Sequence, residues 1–384
     1  MFKLTASLSA LVIFVAAGSV VAHPHAVDES ELAKRQEFQK VARRSFAECQ
    51  SKLKARGGVA ERSIARRKAF AEKARKAHGL DANRPFLRKR DLDTVLNTTH
   101  LSNAIGLTVD SDPFDGNSSC VLGPEVTQGP YYVDGELIRS NVTEDQEGVP
   151  LYADVELIDV NTCEPVSGYN IDFWHANATG VYSGVLASGN GVGSDDPSNI
   201  NNTFLRGIQE TSNEGYAQFV SIFPGHYTGR TTHIHILVHQ TDGSANDNDT
   251  YTGGTVAHVG QVFFDQDLIS QVEALEPYST NTQELMENAE DSILAEEADD
   301  IDPMMEYVLL GDDISDGILA WSSLGIDTSA SYNVSSAATL TGDGGVANEN
   351  SGPGGAGPGA SGSAVPSGAI PSGSDAPAIP SASA

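Results

Sequence analysis

The chain has 384 residues, 23 Lys+Arg against 52 Asp+Glu, and three cysteines. The charge is split: residues 1–90 carry 20 of the basic and 8 of the acidic residues, so 91–384 keep only Arg139, Arg206 and Arg230 against 44 acids. That balance excludes a nucleic-acid interface on the main domain, because phosphate contact needs clustered cations, and it suits a soluble protein in acidic surroundings.

In chain order, residues 1–22 read as a secretory signal, with Lys3 in the charged region, an apolar run at 11–17 and a small-residue cleavage site ending at Ala22. Cleavage there exposes His23, which can chelate copper, although nothing near it has ligand character. Residues 23–90 form a basic segment. Phe38, Val41, Phe46, Cys49 and Leu53 recur at helical spacing, so 28–80 is expected to be a helix, either a solvated pro-segment or a docking helix. The run Leu87-Arg88-Lys89-Arg90 resembles a processing site, with cleavage expected after Arg90.

The main domain is assigned to 91–340. Strands are expected at 151–160, 169–175, 217–223, 232–240 and 255–264, separated by Gly, Asn, Asp and Pro clusters, with a closing strand at 317–326. This pattern gives an all-β class with an antiparallel β-sandwich core. Residues 283–309 read as helical with an acidic face. The Gly/Pro/Ser/Ala-rich tail, 341–384, has too few apolar residues to bury a core and is expected to be disordered. No later segment is apolar enough for a membrane anchor. A secreted chain oxidises its cysteines; Cys120 and Cys163 bracket the first long strand and are paired here, leaving Cys49 over. Sequons stand at Asn97, Asn117, Asn141, Asn177, Asn201, Asn248 and Asn333.

The chemistry concentrates between Trp174 and His235. His233-Ile234-His235 lies in an apolar β-branched run, so both imidazoles share one strand face. Paired imidazoles bind first-row metals, and Tyr182 and Tyr227 add phenol oxygens nearby. A phenol ionises near pH 10 in water, so an ion such as Fe(III) is needed to keep two phenolates at neutral pH. His175, His226 and His239 are read as structural or peripheral.

Five ordered motifs carry a resemblance: GPYYVDGELIRSNV (129–142), DFWHANATGVYSG (172–184), RGIQETSNEGYAQFVSIFPGHY (206–227), RTTHIHI (230–236) and GQVFFDQD (260–267). Together they resemble the intradiol ring-cleavage dioxygenases, and secreted fungal members in overall character. The resemblance implies Fe(3+) held by Tyr182, Tyr227, His233 and His235, with Tyr227 the ligand released on substrate binding. It implies Arg230 facing the substrate ring, Gln261 in the pocket, and a catechol-type substrate cleaved with O2 between its hydroxylated carbons. The short loop between Tyr227 and His233 implies an open, shallow pocket, and the family's helical dimerisation segment has no clear equivalent. A non-catalytic secreted sandwich that binds iron, phenolics or a glycan stays open at this point.

Overall fold

The computed structural model describes residues 49, 52, 58–82, 120–121, 129–187, 189–191, 195–298 and 302–348. The signal sequence, His23, Arg90, Asn97, Asn117 and the tail beyond 348 lie outside the described residues. The strands are β1 (Cys120–Val121), β2 (Val133–Asp134), β3 (Pro150–Asp159), β4 (Asn170–Trp174), β5 (Arg206–Glu210), β6 (Tyr216–Ile222), β7 (His233–His239), β8 (Ser244–Ala245), β9 (Tyr251–Thr252), β10 (Val256–Phe263), β11 (Glu306–Leu309), β12 (Ile318–Ile326), β13 (Ala338–Thr341) and β14 (Gly344–Ala347). The α-helices are α1 (Val59–Ala77), α2 (Gln266–Glu273) and α3 (Ser292–Ala298).

Two sheets make a β-sandwich. The first runs β1-β12-β3-β6, with β11 also on β12; the second runs β10-β7-β4-β5 and is antiparallel throughout. In the first sheet β12 runs parallel to β3, which their long connection permits, so the sandwich is mixed rather than purely antiparallel. Alternation along each strand sorts the faces. Leu151, Ala153, Val155 and Leu157 of β3 point inward and meet Ile171 and Phe173 of β4 and Ile234, Ile236 and Val238 of β7. Phe173 stacks on Phe219 of β6 at 4.5 Å, joining the two sheets.

The outer face of the first sheet is covered by α1. Phe70, Ala71 and Ala74 pack on Tyr152, Leu319 and Trp321. Arg62, Lys68, Lys73 and Lys76 of the described helix are exposed, but three of its basic side chains are buried against the sheet. Arg66 clamps Asp154 with two hydrogen bonds of 2.9 and 2.8 Å, Arg67 reaches Asp154 and Glu156 at 3.5 Å, and Arg75 donates to the Leu310 carbonyl at 2.7 Å. Alternation also explains the acids: Asp154 and Glu156 lie on the outer face of β3, between residues that face the core. Burial works to raise the Asp154 carboxyl, but Arg66 and then Arg67 outweigh it and hold it below the usual carboxylate range.

Three expectations are corrected. The disulfide joins Cys49 to Cys163, not Cys120 to Cys163. Docking of the N-terminal segment brings Cys49 to the turn after β3, with a Cα separation of 5.0 Å, while Cys120 sits on β1 beside Ser323 of β12. Residues 283–309 are not one helix. Among its described residues only Ser292–Ala298 is α-helical, and Glu306–Leu309 is a strand beyond Pro303, whose ring cannot continue a helix. The tail is structured through its first residues: β14 pairs with β13, which lies parallel to β2, and Gly345 donates to Asn201. Among the described residues no helix is long and apolar enough to cross a membrane.

Candidate metal centre

The site lies on the outer face of the second sheet. Because side chains alternate, His233 and His235 of β7 face outward while Ile234 and Ile236 enter the core. Across the sheet Gln261, His235, Trp174 and Arg206 stand directly opposite one another on β10, β7, β4 and β5, forming one cross-strand row. Trp174 lies flat against the His235 ring, centroids 4.8 Å apart and planes 2° apart, which fixes that ring's orientation.

Two loops supply the phenols. Tyr182 follows β4; its N–H donates to Asn190 Oδ1 at 2.7 Å and its carbonyl accepts from the Asn190 and Asn199 amides, both at 2.8 Å. Tyr227 follows β6 and is closed back toward Arg230 by a turn in which Gly229 takes a φ of 90°. Gly225 lets the second loop approach the backbone of Asn177 and Ala178 in the first, where a Cβ would collide.

These elements converge on one point. His233 Nε2 lies 3.1 Å from His235 Nε2, 3.3 Å from the Tyr182 hydroxyl and 3.5 Å from the Tyr227 hydroxyl. His233 Nδ1 is 2.6 Å from the Thr231 carbonyl, which can only accept, so that nitrogen carries the proton and Nε2 presents a lone pair to the cluster. Burial raises both phenols; their mutual repulsion adds to this at Tyr182, and Arg230 opposes it at both. Four donor atoms with little solvent and phenols reluctant to ionise form a set that a strongly Lewis-acidic cation would complete. Among the described residues no group of three or more His, Cys, Asp or Glu could hold a metal; the groups that meet here are two imidazoles and two phenols.

Arg230 and Gln261 border this cluster. Arg230 donates to Gln261 Oε1 at 2.6 Å and to Asp291 Oδ2 at 2.8 Å. The pocket is not open at the donors: Tyr182, Tyr227, His233 and His235 are each 1–2% exposed. Tyr131 from the 129–142 motif packs on the Tyr182 ring at 4.7 Å, and residues 281–291 cover the other side. In that stretch Asn281 bonds the His226 carbonyl, Gln283 bonds the Thr179 carbonyl and the Thr228 N–H, and Asn288 accepts from Thr231. These contacts tie the stretch to the two loops that carry the phenols.

His175, His226 and His239 stay outside the cluster. His175 bonds Ser221 and the Ala176 carbonyl, and burial pushes it down to about 4, so it is a neutral structural group. His226 pairs with Glu273 at 2.8 Å. His239 lies 3.7 Å from Asp172 at the far end of the strand. Sequence reasoning missed Asp291, the stacking role of Trp174, and Arg206, which bonds Ser183, Glu136 and the Tyr131 carbonyl beneath the Tyr182 loop. The scarcity of arginine in this domain was the available signal for Arg206. Asp291 is one of many acids and carries no local signature.

No family model and no curated protein matches the chain. Solved structures do. An intradiol ring-cleavage dioxygenase from Tetranychus urticae is 31% identical over 56% of this chain and 98% of its own, with a TM-score of 0.46. Another dioxygenase is 32% identical over 56% of this chain and 98% of its own, with a TM-score of 0.44. The dioxygenase domain of a carbohydrate-binding fusion protein from Streptomyces sp. SirexAA-E is 23% identical over 54% and 98%, with a TM-score of 0.35. The solved structures to which this chain is similar are thus intradiol ring-cleavage dioxygenases, which are oxidoreductases.

Proposed function

We propose that this protein is a secreted Fe(III)-dependent enzyme that cleaves a catecholic ring between its two hydroxylated carbons with O2, giving a muconate-type diacid. The observation that carries the reading is the meeting of two imidazole nitrogens and two phenol oxygens around His233 Nε2, within 3.1 to 3.5 Å. Tyr182, Tyr227, His233 and His235 would hold the ion. Bound Fe(III) would supply the Lewis acidity that keeps the phenols ionised and draws in the diol oxygens.

The chain's own residues account for the rest. The Tyr227 oxygen would accept one of the two diol protons and a solvent-derived hydroxide the other, so no separate carboxylate base would be required. Arg230 presents a permanent positive charge beside Tyr227 and meets negative charge that builds on the ring oxygens. Gln261, held by Arg230, offers an amide to the substrate edge. Burial of the donors keeps water from competing. Secretion is supported by the leader-like residues 1–22, the sequons and a disulfide between distant parts of the chain.

Metal analysis, a visible spectrum and an oxygen electrode test the proposal together. Purified protein is expected to hold one iron per chain, to show a burgundy tyrosinate-to-iron band, and to consume O2 in a one-to-one ratio with catechol, protocatechuate or hydroxyquinol. Iron and colour without turnover on any catechol would instead support a non-catalytic binder. Iron-loaded protein with no such band would sink the ligand assignment.

A further inference from the structure

Asp291 is 1% exposed and spends both carboxylate oxygens on two different jobs. Oδ1 accepts from the N–H groups of Ile293 and Leu294, at 2.8 and 3.0 Å, and so caps α3. Oδ2 accepts from Arg230 Nε at 2.8 Å and from the Thr231 N–H at 2.7 Å. An arginine has rotamer freedom along its whole stem, and a guanidinium is planar with its donors in a fixed fork. One contact leaves the fork free to turn. Two contacts on different nitrogens, Nε to Asp291 and Nη2 to Gln261, fix both its position and its plane. Asp291 is itself fixed by the helix that it caps, so the hold is rigid.

The charge arrangement points the same way. Glu297, also on α3, has its side chain fully buried. Burial pushes its carboxyl well above the usual range, although Arg230 opposes this. Asp291, with Oδ2 at 2.8 Å from Arg230 Nε, is the carboxylate in direct contact with the buried guanidinium.

Resting on the function proposed above, we propose that Asp291 is a positioning residue for ring cleavage: it holds the Arg230 guanidinium in the plane from which it meets the substrate. It touches neither the proposed ligands nor the reacting atoms, and acts through Arg230. Asp291→Asn is the informative change. Its amide oxygen can still cap α3, while its NH2 would face the donors of Arg230 and Thr231.

The test compares wild type, D291N, R230K and the R230K/D291N double variant for iron content, the visible band, and kcat and KM with catechol. D291N is expected to keep its iron and band, and to lose about a hundredfold in kcat, the scale of a misplaced charge-stabilising donor, with KM changed by less than about threefold. In the R230K background the same change is expected to cost much less, because the residue through which it acts is already altered. A D291N enzyme within about threefold of wild-type kcat overturns the proposal. So does loss of iron along with activity, or an undiminished D291N effect in the R230K background, since either assigns Asp291 to general support of the fold. Should D291N not fold, Asp291→Ser, which keeps an oxygen cap and removes the charge, replaces it in the same comparison. A wild-type protein with neither iron nor oxygen uptake would refute the function itself, a distinct result.

Discussion

Asp154→Ala should strip the N-terminal helix of its anchor without touching the site. The Asp154 side chain is fully buried, and those of Arg66 and Arg67 are 7% and 3% exposed. Removing the carboxylate leaves both guanidiniums under α1 with Glu156, at 3.6 and 3.5 Å, as their remaining carboxylate among the described residues, and takes the acceptor from Gln218. Breaking one partner out of a buried charge cluster costs about 3–5 kcal/mol. At roughly 2–4 °C per kcal/mol for a domain of this size, the melting midpoint should fall by about 10 °C. The proposed centre lies beyond the other sheet, so oxygen uptake at 20 °C should stay near wild type. Thermal unfolding by circular dichroism and an oxygen electrode read the two quantities. A midpoint within about 2 °C of wild type would show that the arginines are solvated in solution and that the docking is not held by these charges.

Asp154→Asn adds a pH signature. A carboxyl held below its usual value stabilises the fold above about pH 4 and loses that contribution as pH falls through its folded pKa. The gap in melting midpoint between wild type and D154N should therefore be full above pH 5 and narrow below pH 4; a constant gap would contradict it. Peptide mapping without reduction should recover a Cys49–Cys163 pair, and Cys163→Ser should cost about 4–5 kcal/mol for so long a loop, read by denaturant unfolding. A recovered Cys120–Cys163 peptide would refute the docked position of the N-terminal segment. Tyr182→Phe should abolish turnover and weaken the visible band. Trp174→Leu, which frees the His235 ring, should lower iron affinity roughly 10–100-fold in a chelator competition, as loss of a supporting neighbour does; unchanged affinity would mean that the stacking does not orient the ligand.

The central strands were legible because their signal is local. The run expected at 232–240 is observed at His233–His239, and that expected at 151–160 at Pro150–Asp159, since alternation needs no knowledge of the partner strand. β5 was missed: Arg206–Glu210 mixes Arg, Gly and Gln in a strand whose burial comes from β4 beside it. The region 283–309 misled for a related reason. Its acidic, Ala- and Leu-containing stretches favour helix locally, but its polar side chains are consumed by two distant loops and its last residues by β12.

Residue type and period alone determined the outward pair His233 and His235, the class of fold, and the presence of phenols close by in the chain. Only tertiary structure decided which phenols and imidazoles meet, that Cys49 rather than Cys120 reaches Cys163, and that a basic helix buries one face, with Arg66, Arg67 and Arg75, against the first sheet. The physical reason is range. Pleat and periodicity act between neighbours along the chain, whereas the convergence of donors, the disulfide and the ion pairs of α1 depend on how separate elements come to rest against each other.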